Sequence, residues 1–482
     1  MGTIQIKNVS FKYHQMTTDI FKDLNLKIDS SWKLGLIGRN GRGKTTLMKM
    51  LLGQLTYQGQ IISDLNFNYY PQTVSDRSQT TLEVIQSLTD LEDYDFWKIE
   101  MEMEQLQLSE EVLQQAFETL SPGEQTKVLL ATLFVDEAGF QLLDEPTNHL
   151  DIAGRKVVAD YLQNKKGFIV ISHDKTFLNQ IIDHVISINR SDVTVYKGNF
   201  DTWETANENQ LQLEMSQKHQ LKNDIQRLHK TAVKRANWAK QSESQNPDST
   251  GRKMMKKSKT LARRVDQAID EKQQLLKNIE VEAPLVLNYE DLKYPEILLH
   301  VDNMTLKNGT FVTPTLDFSL NRHQIVALEG QNGIGKTTIF KQLLGIKQPF
   351  AQTGTINLVK SLKISYLAQN NTLKGSIKQL AVDKKIELEL IYSNLRKLGF
   401  ERQLFEYPVE EMSQGQRQKV ALALSLSQQA NLYLWDEPLN YLDVITRQQI
   451  IAVLKTQKPS MLLIDHDQDL INQVATQKIK LH

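Results

Sequence analysis

Two stretches of the chain repeat the same order of apolar runs, glycine-rich turns and longer amphipathic runs. The apolar runs Trp32–Ile37 and Gln324–Leu328 each lead into a glycine-rich turn, and helix-like runs follow at Thr46–Leu52 and Thr338–Leu344. A short apolar run bounded by glycine is typical of a buried strand, and the run after it is typical of a helix. The pattern predicts two α/β domains of one design.

Between these domains the apolar positions follow a 4-3-4 spacing, which is typical of a helix with a narrow apolar stripe. The stripe positions are Leu221, Ile225, Leu228 and Ala232, and then Leu261, Val265, Ala268, Leu275 and Ile279. Helix breakers and polar residues separate the two sets from Ser242 to Gly251. We therefore expect an antiparallel helical hairpin, with a first domain at 1–205, the hairpin at 206–287 and a second domain at 288–482.

Each glycine-rich turn carries the pattern G-x-x-x-x-G-K-[ST], at Gly38–Thr45 and again 292 residues later at Gly330–Thr337. Backbone N–H groups of such a loop, together with the N-terminus of the next helix, bind phosphate oxygens. Lys44 and Lys336 are expected to reach the β- and γ-phosphates, and the threonine after each lysine to ligate Mg²⁺. Two unrelated glycine-rich turns would not explain why further motifs recur at the same offset.

Two adjacent carboxylates end an apolar strand in each domain, at Asp144-Glu145 and at Asp436-Glu437. The aspartate is placed to hold Mg²⁺ through water, and the glutamate is placed to polarise the attacking water as a general base. The alternative is that both pairs merely cap the helices that follow them. The phosphate loops upstream favour the catalytic interpretation.

A histidine and a glutamine complete the repeat in each domain. His173 and His466 follow apolar strands, 28 and 29 residues after the two glutamates. A histidine in this position is more often a core residue, but its repetition favours a γ-phosphate sensor. Gln72 and Gln369 follow the loop lysines by 28 and 33 residues, and only the repeat makes them informative.

The segments LSPGEQ at Leu120–Gln125 and MSQGQ at Met412–Gln416 resemble the signature motif of the ATP-binding-cassette (ABC) ATPases. The resemblance covers both domains, and it implies two P-loop NTPase folds, each with a helical subdomain. In that family two cassettes stack head to tail, and each ATP lies between the phosphate loop of one cassette and the signature serine and glycine of the other. ATP then holds the halves together, and its hydrolysis separates them.

The resemblance implies a set of site residues, with ATP and Mg²⁺ as cofactors. The first phosphate loop would pair with the second signature, and the second loop with the first signature. The D-loops would be Leu150-Asp151 and Leu442-Asp443. The catalytic residues would be Glu145, Glu437, His173 and His466. The ATP-binding residues would be Tyr13, Gly38, Asn40, Gly41, Gly43, Lys44, Thr45, Thr46, Gln72, Ser121, Gly123, Gly330, Asn332, Gly333, Gly335, Lys336, Thr337, Thr338, Gln369, Ser413 and Gly415. The Mg²⁺ ligands would be Thr45, Gln72, Asp144, Thr337, Gln369 and Asp436.

The two halves depart from the family pattern in different ways. Tyr13 suits the aromatic residue that stacks on adenine, whereas its counterpart in the second half falls near Asn308, with Phe311 as a candidate substitute. Pro122 and Gln414 alter the two signatures, although the serine and glycine of each remain. We expect two competent but unequal ATP sites, the alternative being one inactive site.

Bulk composition excludes several protein classes. The chain has no cysteine, which excludes disulfides, iron–sulfur clusters and cysteine zinc sites. No apolar run approaches the roughly 18 residues of a membrane span. The N-terminal residues read as a strand rather than as a signal peptide. These features predict a soluble cytoplasmic protein that contacts no membrane, and the family resemblance implies a monomer with intramolecular cassette pairing.

Charge is distributed unevenly along a chain whose net charge is zero. From Lys218 to Arg264 there are 14 Lys and Arg against 3 Asp and Glu, and the remaining residues carry the compensating net charge of −11. An ordinary solvated helix interleaves the two signs, so this excess favours a polyphosphate partner such as nucleic acid. Trp238 could stack on a base or close the hairpin seam. The candidate RNA-binding residues are Lys234, Arg235, Trp238, Lys240, Arg252, Lys253, Lys256, Lys257, Lys259, Arg263 and Arg264.

Two cassettes joined by a basic helical hairpin resemble the ABC-F family, the ribosome-associated ABC ATPases. The segment Tyr196–Phe200 (YKGNF) is similar to the one that ends the first cassette in that family. The resemblance implies that the hairpin enters the tRNA exit site of the 50S subunit, near 23S rRNA and the P-site tRNA, with its tip at about 238–257 pointing to the peptidyl-transferase centre. The absence of an inserted arm between Thr46 and Leu120 is similar to the antibiotic-resistance members of the Lsa, Vga and Msr kind.

Three functions therefore remain open. The first is protection of ribosomes by displacing lincosamides, pleuromutilins or streptogramin A. The second is a housekeeping ABC-F translation factor that acts on stalled ribosomes without a drug. The third is the tandem ATPase subunit of an importer, which the basic hairpin disfavours.

Overall fold

The computed structural model describes residues 2–13, 19–89, 93–136, 139–148, 150–189, 192–245, 260, 264–265, 267–272, 284–309, 311–331, 333–346, 349–369 and 371–481. Several candidate residues lie outside this part of the chain: Asn332, Arg252, Lys253, Lys256, Lys257, Lys259 and Arg263. The side chains of Arg235, Trp238 and Lys240 are also outside the description.

The first cassette places a six-stranded sheet beside a three-stranded antiparallel sheet. Its strands are β1 Thr3–Phe11, β2 Phe21–Asp29, β3 Lys33–Gly38, β4 Gln58–Ile62, β5 Phe67–Tyr70, β6 Phe140–Asp144, β7 Phe168–Ile171, β8 His184–Ile188 and β9 Val193–Lys197. The large sheet has the order β5-β6-β7-β3-β8-β9, parallel except for β9. All four residues of β7 are buried, because helices and the small sheet cover both faces.

Six helices pack around these sheets before the linker begins. They are α1 Lys44–Leu51, α2 Thr81–Leu88, α3 Trp97–Gln105, α4 Pro122–Phe134, α5 Ile152–Gln163 and α6 Lys175–Ile181. Helices α2 to α4 and the short 3₁₀ turns between them form a helical subdomain between the phosphate loop and β6. The α/β fold predicted from the sequence is thus confirmed for this half.

The second cassette repeats the arrangement with a five-stranded parallel sheet, β15-β16-β17-β13-β18, and a four-stranded antiparallel one. Its strands are β10 Ile297–Asn308, β11 Phe311–Val312, β12 Leu316–Asn321, β13 Ile325–Glu329, β14 Ala351–Leu358, β15 Ile364–Leu367, β16 Leu432–Asp436, β17 Met461–Ile464 and β18 Gln477–Lys480. Its helices are α8 Lys336–Leu343, α9 Ile377–Asp383, α10 Leu388–Lys397, α11 Gln414–Ser427, α12 Val444–Gln457 and α13 Gln468–Val474.

A single long helix, α7 Phe200–Gln245, leaves the first cassette and begins the linker. The predicted stripe residues Leu221, Ile225, Leu228 and Ala232 are half-buried, while most positions between them are exposed. The helix runs past Ser242, so the stretch predicted as a loop begins as helix. An ion pair of 2.7 Å joins Asp224 to Lys272, which lies in the helical turns after the tip. This ion pair brings the two limbs together, as the hairpin interpretation requires.

Both ends of the linker are anchored in cassette cores. Phe200 and Trp203 are buried in the first cassette at the start of α7. After the linker, Leu285 and Leu287 are buried in the second cassette, and Asn288 N–H donates to the carbonyl of Leu426 at the end of α11 (2.8 Å). The chain is therefore fixed to the first cassette where the linker begins and to the second cassette where the linker ends. Within the described residues, no helix is both long and apolar enough to cross a membrane.

Candidate ATP sites

The first phosphate loop connects β3 to α1 and curls around its own lysine. Gly43 has φ of 97°, and a Cβ there would lie 2.5 Å from Ile20 Cγ2, so glycine is required on both counts. The buried Lys44 Nζ donates to the carbonyl of Gly38 (2.7 Å) and to Asn40 Oδ1 (3.2 Å). Burial lowers the pKa of Lys44 because it disfavours the charged ammonium. An anion bound in this loop would stabilise that charge.

The second phosphate loop has the same construction between β13 and α8. Gly335 has φ of 102°, and a Cβ there would lie 2.7 Å from Thr313 Cγ2. Lys336 Nζ donates to the carbonyls of Gly330 (2.6 Å) and Gln331 (3.0 Å), and burial lowers its pKa. Each loop therefore forms a glycine-lined concavity in which one lysine is positioned to bind a phosphate.

A hydroxyl and a carboxylate meet beside each loop. Thr45 Oγ1 donates to Asp144 Oδ2 (3.1 Å), and Thr337 Oγ1 donates to Asp436 Oδ2 (2.7 Å). Asp436 is fully buried, and burial raises its pKa to about 6. Its Oδ1 has no hydrogen-bond partner among the described atoms. Such oxygen ligands suit Mg²⁺ held together with nucleotide phosphates, so both pairs fit the expected cation.

Tyrosines at the ends of β5 and β15 add a feature that sequence reasoning missed. Tyr69 Oη donates to Asp144 Oδ2 (3.1 Å), and Tyr366 lies close enough to Asp436 that burial and this carboxylate raise the tyrosine's pKa to about 12. Tyr69 precedes Gln72 by three residues and Tyr366 precedes Gln369 by three, and this shared spacing was the signal in the sequence that could have identified the tyrosines.

The two glutamates occupy a strained turn directly after β6 and β16. Glu145 has φ of 55° and Glu437 has φ of 51°, which is uncommon for residues other than glycine. Their N–H groups donate to the carbonyls of Ile171 (2.9 Å) and Ile464 (2.8 Å) on the neighbouring strand. Backbone strain held in place by a sheet is a common feature of functional sites. The turn aims both side chains at the histidine loops.

Each glutamate faces the predicted histidine. Glu145 Oε1 lies 3.0 Å from His173 Nε2, and Glu437 Oε1 lies 3.7 Å from His466 Nε2. Burial, followed by the charge of Asp144, raises the pKa of Glu145 to about 8, and burial lowers the pKa of both histidines. A buried glutamate beside a histidine, with the pKa of the site residues shifted by burial, is an arrangement typical of general-base catalysis.

The two signature serines begin α4 and α11. Ser121 and Ser413 each accept a hydrogen bond from the backbone of the third helical residue, and the side chains of Glu124 and Gln416 bond back to the cap. This reciprocal capping fixes the serine at a helix N-terminus, whose N–H groups and dipole favour a phosphate. Pro122 occupies the first helical position of α4, where proline is well tolerated.

The cassettes meet at the first phosphate loop. Asn40 N–H donates to Asp443 Oδ2 (3.1 Å), and Asn40 Nδ2 donates to the carbonyl of Tyr441 (3.2 Å). A Cβ on Gly415 would lie 3.8 Å from Asn40 Nδ2, so the second signature lies against this loop. The structure thus brings together the loop at 38–45, the second signature and the second D-loop. We call this the first site.

The opposite pair, which we call the second site, is more open. A Cβ on Gly333 would meet nothing within 4 Å, whereas one on its counterpart Gly41 would lie 3.7 Å from Glu401. Asp443 is fully buried, whereas its counterpart Asp151 is exposed. The two sites therefore differ in geometry, as their sequences predict.

The remaining candidates differ between the halves. Tyr13 Oη is hydrogen-bonded to Thr46 Oγ1 (3.2 Å) behind the first loop. Phe311 lies beside the second loop, with its ring 3.3 Å from a Cβ placed on Gly335. Gln72 is half-buried with an unpartnered Oε1 in the described structure, whereas Gln369 is exposed. Roles for these residues in binding adenine or Mg²⁺ stay predictions.

The basic face of the linker can be followed along α7. Arg227, Lys230 and Lys234 line one shallow surface together with Asn223 and Gln226. Lys234 and Arg264 are exposed, as residues that contact a polyphosphate must be. The described part of the hairpin thus has an apolar seam on one side and cations on another.

Comparison with known proteins agrees with this geometry. The family model described as ABC transporter matches residues 21–148 and 314–440. The ribosome protection protein VmlR of Bacillus subtilis (strain 168) is 26% identical over 99% of this chain and 86% of its own length. The energy-dependent translational throttle protein EttA of Mycobacterium tuberculosis (strain H37Rv) is 25% identical over 95% of this chain and 88% of its own.

Solved structures show the same fold. A chain from the crystal structure of archaeal ribosomal stalk protein aP1 with archaeal ribosome recycling factor aABCE1 superposes with a TM-score of 0.63. It covers 98% of this chain and 87% of its own length at 20% identity. At that identity the similarity concerns the fold alone.

Proposed function

Because the chain belongs to the ABC-F family of ABC ATPases, we propose that it binds the ribosome, inserts its linker hairpin into the tRNA exit site and displaces antibiotics bound near the peptidyl-transferase centre. Binding of ATP with Mg²⁺ between the cassettes closes them and positions the hairpin. Hydrolysis of ATP then releases the protein from the ribosome. The protein acts in the cytoplasm as a monomer whose two cassettes pair with each other.

The basic linker is the observation that carries this proposal. Its cations lie on a hairpin whose two ends are anchored in the cassette cores. Closure of the ATP sites therefore sets the position of the hairpin. An RNA surface supplies the opposite charge, and binding to it releases counterions. The relative named a ribosome protection protein supports protection of the ribosome as the outcome of binding.

Charge neutralisation in the described part of α7 tests ribosome binding. Arg227, Lys230 and Lys234 are replaced by Gln, and the control replaces the exposed cassette residues Lys7, Lys22 and Lys384 by Gln. The logarithm of the binding constant falls linearly with the logarithm of the salt concentration. Each replaced cation that neutralises an RNA phosphate in the parent should reduce the magnitude of this slope by about one. The linker variant should bind ribosomes more weakly with a shallower salt slope, while the control matches the parent. Equal behaviour of the two variants would contradict RNA binding by this face.

A housekeeping translation factor is the second candidate, favoured by the relative named a translational throttle protein. Expression in a drug-sensitive bacterium separates the two roles. Drug displacement predicts higher inhibitory concentrations of lincosamides, pleuromutilins or streptogramin A, and predicts no increase from the linker variant. Unchanged inhibitory concentrations for all three classes, in cells where the protein binds ribosomes, would favour the housekeeping role.

A further inference from the structure

The histidine loops of the two cassettes differ at one buried position. In the first cassette Ser172 precedes His173, and its Oγ is hydrogen-bonded to Thr147 Oγ1 (2.9 Å). Ser172 Oγ also accepts the N–H of Asp174 (3.2 Å), which caps α6. Ser172 and Thr147 are both buried. A neutral pair of hydroxyls therefore supports the first histidine loop.

The second cassette replaces this pair with a carboxyl and an apolar side chain. Asp465 occupies the position of Ser172, and Leu439 that of Thr147. Asp465 Oδ1 accepts the N–H of Asp467 (2.8 Å), as the serine does in the first cassette. Its other oxygen, Oδ2, is buried without a hydrogen-bond partner among the described atoms. A buried carboxylate oxygen left without a partner is costly, whereas a protonated one is far less so.

The charges around Asp465 reinforce this preference for the neutral form. Burial is the largest cause, and the carboxylates of Asp467 and Glu437 add to it, while the Arg447 guanidinium opposes it. Arg447 is largely committed elsewhere, since it lies 2.9 Å from Asp467 Oδ2 and donates to the carbonyl of Leu442. The balance raises the pKa of Asp465 to about 7.

We propose that Asp465 is a protonatable positioning residue of the second ATP site and that its carboxyl takes up a proton when ATP binds there. Protonated Asp465 supports the loop that carries His466 as Ser172 supports His173. Ionised Asp465 adds negative charge beside Glu437, in a site that must accept the anionic phosphates of ATP. This proposal rests on the proposed roles of Glu437 and His466 and does not depend on ribosome binding.

Linkage makes the effect reciprocal and measurable. If bound phosphate favours the protonated carboxyl, then protonation strengthens ATP binding by the same factor. Near pH 7 the carboxyl is about half ionised before ATP binds, so binding should take up roughly half a proton. ATP affinity at the second site should fall as the pH rises from 6 to 8, by up to about tenfold for a shift of one unit on binding. The first site has no such group at this position.

The test measures proton uptake by calorimetry of MgATP binding, at pH 7, in buffers with different heats of ionisation. The protein is the full chain carrying Glu145→Gln and Glu437→Gln, which binds without turnover. Asp465→Asn in this background should remove about half a proton from the uptake, and Leu439→Thr with Asp465→Ser should do the same. The second variant restores a pair with which the first cassette already folds.

A gain-of-function control uses the first cassette. Thr147→Leu with Ser172→Asp in the same background should add proton uptake. Equal uptake by the parent and both Asp465 variants would overturn the proposal. Continued hydrolysis by the Glu145→Gln, Glu437→Gln chain would instead refute the proposed roles of the glutamates, so the two failures can be told apart.

Discussion

The backbone N–H of Asn40 in the first phosphate loop donates a 3.1 Å hydrogen bond to Asp443 Oδ2 of the second cassette. The same oxygen lies 3.5 Å from Lys419 Nζ, in the helix that the second signature begins. Burial opposes the charge on Asp443, but Lys419 and Lys44 outweigh it and hold the pKa of Asp443 below its usual range. One carboxylate thus links the phosphate loop, the D-loop and the signature helix of the first site.

Removal of this carboxylate should slow the first site selectively. We expect Asp443→Asn to lower ATP hydrolysis by roughly tenfold, the change that follows from losing about 1.4 kcal/mol of transition-state stabilisation. The measurement is steady-state hydrolysis in a Glu437→Gln background, where only the first site turns over. The matched control is Asp151→Asn, at the exposed counterpart, which should change the rate less than about twofold. An equal loss of ATP hydrolysis in Asp443→Asn and Asp151→Asn would contradict a specific role of Asp443 at the first site.

Asp465 should make folding stability depend on pH. Its pKa rises from 3.8 to about 7 on folding, so folding takes up a proton. The stabilisation of the protonated form is complete below the unfolded pKa and is lost as the pH rises towards the folded pKa. Relative to Asp465→Asn, the parent should therefore melt at progressively lower temperature between pH 5 and pH 7 and then level off. A constant difference in melting temperature across this range would contradict the assignment.

Lys175 should couple the first histidine loop to the linker. It follows His173 by two residues, and its Nζ lies 2.6 Å from Glu204 Oε2 and 3.3 Å from Asp201 Oδ1, near the start of α7. The proposed ribosome binding predicts that ribosomes stimulate ATP hydrolysis, and Lys175→Ala should reduce this stimulation about two- to thirtyfold, the range that corresponds to typical coupling energies. Basal hydrolysis should change less. Lys98→Ala, which removes the half-buried Lys98–Asp95 ion pair far from the linker in sequence, serves as the control. An equal drop in basal and stimulated rates would argue against coupling.

The local parts of this architecture follow from sequence, because they depend on residues close together in the chain. A phosphate loop needs glycines at fixed offsets, as at Gly43 and Gly335, and a helical seam needs apolar residues at 4-3-4 spacing. Repetition of the motifs then distinguished functional glutamates from ordinary helix caps. These features involve little long-range geometry.

The interactions that make the sites unequal depend on tertiary structure. The bond between Asn40 and Asp443 joins residues 403 apart, and no local pattern indicates that Asp443 is buried while Asp151 is exposed. Tyr69 reaches Asp144 only because β5 and β6 are neighbours in the sheet. Asp465 stands where the first cassette has Ser172, but that its Oδ2 is buried without a hydrogen-bond partner among the described atoms is known only from the structure.

Co-sedimentation shows whether the ATP-bound protein binds ribosomes. The chain with Glu145→Gln and Glu437→Gln is mixed with purified ribosomes and MgATP at low salt and centrifuged through sucrose. This variant should pellet with the ribosomes in MgATP, should do so far less with ADP, and should be released as the salt concentration rises fourfold. Failure to pellet with ribosomes in MgATP at low salt would contradict ribosome binding.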